Sequence, residues 1–175
     1  MENKILVTYS TRTGSTKEIS EAIAKTLSET GEKVDIIDMK DVKDLTIYKS
    51  IIAGSAIQDR KWLPEAIEFV KINQADLNKK PFAAFLVCMT LAMKGGVQYT
   101  DTVSSWLQPV RNVVTPVSEG LFKGILEIDK IPSFSDRIKF RISMLTGVWK
   151  EGDHRDWDSI QTWTRKTKAI FDKSS

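Results

Sequence analysis

The stretch VTYSTRTGSTKEIS, residues 7–20, joins the end of an apolar run to the start of an amphipathic helix. Five of the seven residues 10–16 carry a hydroxyl group, and Gly14 stands among them. In an open parallel sheet, ligands bind beyond the carboxyl ends of the strands, where exposed helix N–H groups favour phosphate. The stretch therefore predicts a strand, a phosphate-binding loop and a helix. For any single hydroxyl, helix capping in a solvated turn is the alternative.

The rest of the chain alternates short apolar runs with amphipathic segments. Strands are predicted near residues 5–7, 34–37, 50–54, 82–87 and, in two pieces, 113–114 and 121–126. Helices are predicted near residues 19–27, 62–72, 103–107 and 157–171. This alternation predicts an α/β fold with a parallel sheet covered by helices on both faces. We expect one domain, 1–175, with an insertion at about 131–153 before the last helix.

Composition sets the broad class of the protein. The chain is 41% hydrophobic and 28% charged, with a net charge of +3, as in ordinary soluble proteins. A single cysteine, Cys88, fits a reducing cytosol. Without a visible signal peptide or spanning run, we expect a cytoplasmic protein, peripheral on the membrane at most. The lone His154 predicts no metal site, and no arginine-and-aromatic motif predicts nucleic-acid binding. A homodimer is left open.

The phosphate loop matches neither of the two common glycine-rich motifs. No lysine follows Gly14 as in a Walker loop, and the pattern Gly-x-Gly-x-x-Gly is missing. Many hydroxyls with few glycines suit a terminal phosphomonoester instead. This loop resembles the FMN phosphate loop of flavodoxins, Thr/Ser-x-Thr-Gly-x-Thr, through Ser10, Thr11, Arg12, Thr13, Gly14, Ser15 and Thr16. The resemblance implies FMN as cofactor and a flavodoxin-like three-layer sandwich with a five-stranded parallel sheet in the order 2-1-3-4-5.

The flavodoxin family places two further loops around the flavin, after the third and fourth strands. By position these contribute Ser55, Ala56, Ile57 and Trp62 from the first loop, and Cys88, Met89, Thr90, Leu91 and Ala92 from the second. Flavodoxins usually stack aromatic rings on the flavin, and Trp62 is the only aromatic residue in the first loop. The alternative for Trp62 is packing within its own domain. For Cys88 it is a small buried hydrophobe at a strand end.

The insertion, residues 131–153, predicts an unusually apolar helix. On a helical wheel one stripe consists of Phe134, Ile138, Ile142, Leu145 and Trp149, and a second of Phe140, Met144 and Val148. Arg137 and Arg141 project between the stripes. Such a helix suits lipid headgroups or a flat ligand that bears carboxylates. The alternative is a docked helix whose arginine stems cover the core.

A closer resemblance lies in GSAI at 54–57, EGLFKGIL at 119–126 and DRIKFRISMLTG at 136–147. These stretches are similar to the menaquinone-dependent, flavodoxin-type protoporphyrinogen oxidases, which carry a long insertion in the same place. The resemblance implies an FMN-dependent, quinone-coupled oxidation of protoporphyrinogen IX to protoporphyrin IX in heme biosynthesis. Flavin N5 would accept the hydride, and no residue stands out as a general base. Arg137 and Arg141, with Arg60 and Lys61, would hold substrate propionates or lipid phosphates.

Two other functions are compatible with the sequence. A soluble electron-transfer carrier is the main alternative, because that is what ordinary flavodoxins are. The basic net charge departs from their usual acidic surface, and residues 55–62 contain no glycine to assist a peptide flip at the flavin. A binding module that uses the fold without flavin is the third interpretation.

Overall fold

The computed structural model describes residues 4–131 and 133–174, so the ends of the predicted domain and residue 132 of the predicted insertion lie outside the described residues. The strands are β1 (Lys4–Ser10), β2 (Lys33–Asp38), β3 (Tyr48–Gln58), β4 (Lys61–Trp62), β5 (Phe82–Cys88), β6 (Ser118–Lys123), β7 (Ile125–Leu126) and β8 (Gly152–Asp153). The α-helices are α1 (Ser15–Glu29), α2 (Pro64–Ile72), α3 (Gln74–Leu77), α4 (Thr100–Ser105), α5 (Gln108–Arg111), α6 (Phe134–Leu145) and α7 (Trp157–Lys173). Short 3-10 turns cover Met39–Asp41, Thr90–Ala92, Gly96–Tyr99 and Ile128–Lys130.

The main sheet has the strand order β2-β1-β3-β5-β6, and every neighbouring pair along this path is parallel. With β4 set aside as a short antiparallel partner of β3, this is the predicted order 2-1-3-4-5. The α/β fold with a five-stranded parallel core is therefore confirmed. It places the carboxyl ends of β1, β3, β5 and β6 along one edge of the sheet.

The two faces of the sheet bury different helices. Successive side chains of a strand point to opposite faces, so neighbours in β1 belong to different layers. Leu6 packs into the layer that contains α2, α4 and α5, and Ile5 packs into the layer with α1 and α7. Both residues are fully buried. This arrangement is the three-layer sandwich that the alternating sequence predicts.

Two strand predictions are wrong in extent. The third strand continues through Gln58, and residues Asp59 and Arg60 form the turn of a hairpin to β4, so Ser55 to Trp62 is not a loop. The fifth strand does not include Val113 and Val114, which follow α5. It begins at Ser118, in the segment expected to interrupt it. Because β6 lies at the edge of the sheet, its polar residues Ser118 and Glu119 can remain hydrated.

The insertion starts and ends at a two-stranded antiparallel ladder. Leu126 of β7 pairs with Gly152 of β8, so the chain leaves and re-enters the domain at adjacent positions. Between them, α6 ends at Leu145, and Gly147 has a φ of 70°, a conformation that glycine adopts readily at helix ends. Because the helix stops there, Trp149 does not extend the first stripe. Its ring packs against Phe140 instead, 5.7 Å between centroids.

The two predicted stripes of the insertion meet different surroundings. Phe140, Met144 and Val148 are partly buried. The first stripe is exposed: Phe134 is 73% and Leu145 88% accessible, with Ile138 and Ile142 also exposed. Over the described residues 4–131 and 133–174, no helix is both long and apolar enough to cross a bilayer.

Candidate functional site

The phosphate loop lies between the end of β1 and the start of α1. Gly14 has a φ of 97°, which favours glycine because a Cβ would be strained there. Its N–H donates to Thr11 Oγ1 at 3.1 Å, and its carbonyl accepts from the Glu18 N–H at 3.1 Å. No side chain caps α1 within the described structure. The N–H groups of the first turn therefore remain available to an anion.

Two hydroxyl residues of the loop are buried at the start of α1. Ser15 is nearly buried, and its side chain reaches a cavity described below. Thr16 is fully buried, and its Oγ1 has no hydrogen-bond partner within the described residues. A buried hydroxyl without a partner is costly, and an acceptor such as a phosphate oxygen would satisfy it. This loop fits a phosphomonoester.

An ion pair fixes the other side of the loop. The Arg12 guanidinium contacts Glu65, in the first turn of α2, through both terminal nitrogens: Nη2 donates to Oε2 at 3.1 Å, and Nη1 to Oε1. Ser10 Oγ donates to the same Oε1 at 3.0 Å. The hydrogen bond from Arg12 holds the pKa of the Glu65 carboxyl below its usual value, so this carboxylate is ionised at neutral pH.

A cavity of about 460 Å³ begins at the phosphate loop and ends at the insertion, a volume suited to a cofactor or small ligand. Its walls come from the loop, the carboxyl ends of β3 and β5, the β6–β7 segment and the insertion. The lining residues are Arg12, Thr13, Ser15, Ala56, Ile57, Gln58, Val87, Cys88, Met89, Gly124, Ile125, Leu126, Glu127, Ile131, Ser133, Asp136 and Phe140.

The sequence matches a family described as a flavodoxin domain over residues 6–155. The chain belongs to this flavodoxin family. Among solved structures, the oxidised flavodoxin 2 of Bacillus cereus superposes with a TM-score of 0.58 at 22% identity, over 97% of this chain and 99% of that one. A flavodoxin mutant of Fusobacterium nucleatum, bound to flavin mononucleotide, superposes with a TM-score of 0.54 at 16% identity, over 98% of each chain.

Two curated relatives of this flavodoxin-domain protein carry the same name, protoporphyrinogen IX dehydrogenase (quinone). The one from Leishmania major is 27% identical over 175 residues, which cover 95% of this chain and 75% of that protein. The one from Escherichia coli is 24% identical over 179 residues, which cover 97% of each. These alignments therefore span the insertion as well as the flavodoxin core.

The structure brings seven of the predicted cofactor residues to the cavity: Arg12, Thr13, Ser15, Ala56, Ile57, Cys88 and Met89. Thr11 and Gly14 shape the phosphate loop behind them. Thr90, Leu91 and Ala92 form a 3-10 turn beyond β5 and are not among the lining residues. Leu91 instead lines a second, smaller cavity of about 180 Å³.

Two residues that were predicted to contact the flavin from the first loop are buried in the core instead. Trp62 is 2% accessible and packs in the core with Leu63 and Phe69, so its ring does not face the cavity. Ser55 is fully buried, and its Oγ accepts from the Leu63 N–H at 3.0 Å and donates to the Ala56 carbonyl at 2.8 Å. Both residues position the start of α2 against β3.

The four predicted cations are not among the residues that line the cavity. Arg137 Nε donates to the Ile131 carbonyl at 2.6 Å, and Arg141 lies 3.5 Å from Asp129 on the exposed side of the insertion. Arg60 and Lys61 are exposed at the hairpin between β3 and β4. A ligand in the cavity would reach these cations only by extending beyond the lining residues.

The sequence analysis missed the wall formed by Gly124 to Glu127. A side chain at Gly124 would bring a Cβ to 3.2 Å from Val87 Cγ1, so glycine keeps this wall thin. The rule that ligands sit beyond the carboxyl ends of strands predicts this position once β6 is known to end at Lys123. Because the sequence predicted that this strand continues to residue 126, the wall was not recognised.

The cavity has an acidic side and a buried thiol. Asp136 and Glu127 line it from the insertion end. Hydrogen bonds from Lys139 and Ser133 hold the pKa of Asp136 below its usual value, so Asp136 is ionised at neutral pH.

Burial raises the pKa of the Cys88 thiol, which keeps it protonated and weakly reactive. No group of three or more His, Cys, Asp or Glu suited to a metal occurs in the described part of the chain.

Proposed function

We propose that this flavodoxin-domain protein binds FMN and oxidises protoporphyrinogen IX to protoporphyrin IX, with a quinone as electron acceptor. The observation that carries the proposal is the continuous cavity that joins the phosphate loop to the insertion. An FMN held by its phosphate at one end would present its ring toward the other end. The relatives named protoporphyrinogen IX dehydrogenase (quinone) support the substrate, because they align along nearly the whole chain.

The residues present fit FMN at the phosphate end. In the part of the chain that the structure describes, α1 has no side-chain cap and Thr16 Oγ1 has no hydrogen-bond partner. These groups, with Thr13 and Ser15, would hold the phosphate. Ala56 and Ile57 on one wall and Met89 on the other provide apolar surface for a flat ring. When bound, FMN supplies the chemistry by accepting two electrons and a proton as hydride at N5. The protein would orient the substrate.

The insertion provides the surface for the substrate. Phe140, Ile131 and Leu126 form an apolar wall suited to a macrocycle, and Asp136 adds an ionised carboxylate beside them. A porphyrinogen carries four pyrrole N–H donors, and Asp136 would accept from them. Negatively charged propionates would then point away from Asp136, toward the exposed cations Arg60, Lys61 and Arg141 or toward the half-buried Arg137.

We extend the proposal to peripheral contact with an acidic lipid surface through the exposed stripe of α6. Ile142 and Leu145 project into solvent there, and the exposed cations Lys139 and Arg141 flank them. Apolar side chains bordered by cations are typical of helices that lie in a membrane interface. A lipid-soluble quinone would reach the protein from the same side.

An anaerobic assay tests the reaction. FMN-loaded protein mixed with protoporphyrinogen IX and a menaquinone analogue should develop porphyrin fluorescence, and the cofactor-free protein should not. The variant Arg137→Gln/Arg141→Gln should keep FMN but lose substrate or liposome binding. A carrier would instead bind FMN and exchange electrons with a reductase while leaving protoporphyrinogen untouched, and that result would overturn the assignment as an enzyme.

A further inference from the structure

The carboxylate of Glu65, in α2, binds the phosphate loop, which is distant in sequence and lines the cavity. It accepts from Ser10 and from Arg12 of the phosphate loop, across 55 and 53 residues. Glu65 itself belongs to α2, whose start is fixed by the Leu63 N–H bond to Ser55 and by the buried Trp62. The loop is thereby tied to the helix that follows the β3–β4 hairpin.

We propose that Glu65 is a positioning residue that holds Arg12 ready for the phosphate of FMN, and so helps the site to distinguish FMN from riboflavin. This inference rests on the FMN part of the proposed function. The ion pair occupies two of the five guanidinium N–H donors, and the side chain of Arg12 also lines the cavity. Among the described residues, the other three donors have no hydrogen-bond partner, so they could bind an anion.

The physical reason lies in the ordering of a long exposed side chain. The Arg12 side chain is 45% accessible, so without Glu65 it would sample many rotamers and lose that freedom on binding phosphate. A bidentate carboxylate fixes the plane of the guanidinium beforehand. Ser10 has a single hydroxyl proton, and Glu65 accepts it. Ser10 therefore supports Glu65 and is not a direct phosphate donor in this arrangement.

A double-mutant cycle with two ligands tests the role of Glu65. Dissociation constants for FMN and for riboflavin are measured by flavin fluorescence for the wild-type protein, Arg12→Gln, Glu65→Gln and the double variant. Each single change should weaken FMN binding about tenfold, the usual size for a charged hydrogen bond. The double variant should be no weaker than Arg12→Gln, because Glu65 acts through Arg12. Riboflavin binding should change less than about twofold, since riboflavin has no phosphate.

The matched control is Glu68→Gln, an exposed carboxylate in the same helix, which should leave both constants unchanged. The proposal is wrong if Glu65→Gln binds FMN as tightly as the wild type or more tightly, which would mean that the carboxylate mainly repels phosphate. The proposal is also wrong if the losses of FMN affinity in the two single variants multiply in the double variant, or if riboflavin binding weakens as much as FMN binding. If the wild-type protein binds no FMN at all, the proposed function itself fails, a distinguishable outcome.

Discussion

Replacement of Arg155 tests whether the base of the insertion is held by charge. The Arg155 side chain is 7% accessible and donates to Asp153 at 2.9 and 2.7 Å and to Glu18 at 2.5 Å. Its guanidinium also lies 4.4 Å from the centroid of the Trp157 ring. Asp153 belongs to β8 and Glu18 to α1, so one side chain joins the insertion to the helix that follows the phosphate loop.

The expected cost of Arg155→Gln is about 2 kcal/mol in the free energy of unfolding. Losing a hydrogen-bonded partner of a charged group costs about 1.5–3 kcal/mol. We take the lower value, because Asp153 and Glu18 are about half exposed and water replaces Arg155 there. The contact with Trp157 adds about 0.5 kcal/mol.

Urea denaturation at pH 7 measures this loss, with Arg165→Gln as the control. Arg165 is exposed on α7 and makes one hydrogen bond of 3.4 Å, so its replacement should cost less than about 0.5 kcal/mol. Hydrogen exchange of the β7 and β8 amides should accelerate in Arg155→Gln alone. Equal stability of the two variants would refute the idea that Arg155 anchors the insertion.

The pH dependence provides a second check on Arg155. Its hydrogen bond holds the pKa of Asp153 below the ordinary value. The stabilisation is therefore complete above about pH 4, where Asp153 is ionised even when unfolded, and is lost as the pH falls through the lowered pKa. The difference between wild type and Arg155→Gln should shrink over that range.

Three further predictions follow from single contacts. Thr16→Val removes a hydroxyl that has no hydrogen-bond partner among the described residues, so the cofactor-free protein should be equally stable or up to about 1 kcal/mol more stable, while FMN binding weakens about tenfold. Thermal unfolding and fluorescence titration measure the two effects, and a parallel loss of stability and binding would count against a phosphate contact. Ile142→Ser/Leu145→Ser should reduce co-sedimentation with acidic liposomes at least about fivefold. The melting temperature should stay the same because both side chains are exposed. Undiminished co-sedimentation would show that this surface does not bind lipid. Burial, with a hydrogen bond to Asp35, raises the pKa of Tyr48 to about 12. A raised pKa favours the neutral phenol in the folded state, so stability should fall from about pH 10 upward in wild type but less in Tyr48→Phe, as denaturation at several pH values would show.

The hydroxyl-rich loop and the parallel sheet between helices could be predicted because they rest on local sequence patterns, and the strand order followed from the resemblance to flavodoxins. Five hydroxyl residues among seven between a strand and a helix favour an anion site over capping alone, and alternating strands and helices restrict the topology. The fifth strand was misplaced for an equally physical reason. Val113 and Val114 have the composition of a buried strand. The strand in the structure starts with Ser118 and Glu119 at the edge of the sheet, where polar side chains can remain hydrated.

The hairpin and the cavity wall depend on contacts that no local pattern contains. Asp59 and Arg60 both have positive φ angles, 51° and 61°, although neither is the glycine that usually marks such a turn. Trp62 then enters the core, since the hairpin turns it inward from the position expected for a flavin-stacking ring. The β7–β8 ladder joins segments about 25 residues apart in sequence, so its register cannot be inferred from either alone.

The two surfaces of α6 connect the cavity to the outside of the protein. Phe140 lines the cavity, and Ile138 and Ile142 are exposed two residues to either side of it. At about 100° per residue, two residues correspond to a rotation of about 200°, which places Phe140 opposite the exposed stripe. A helix is only about 10 Å across. If the stripe rests on lipid, the cavity therefore lies one helix diameter from the bilayer, close enough for a lipid-soluble acceptor to exchange electrons there. Arg155 and the β7–β8 ladder would then hold α6 in this position between the cavity and the lipid.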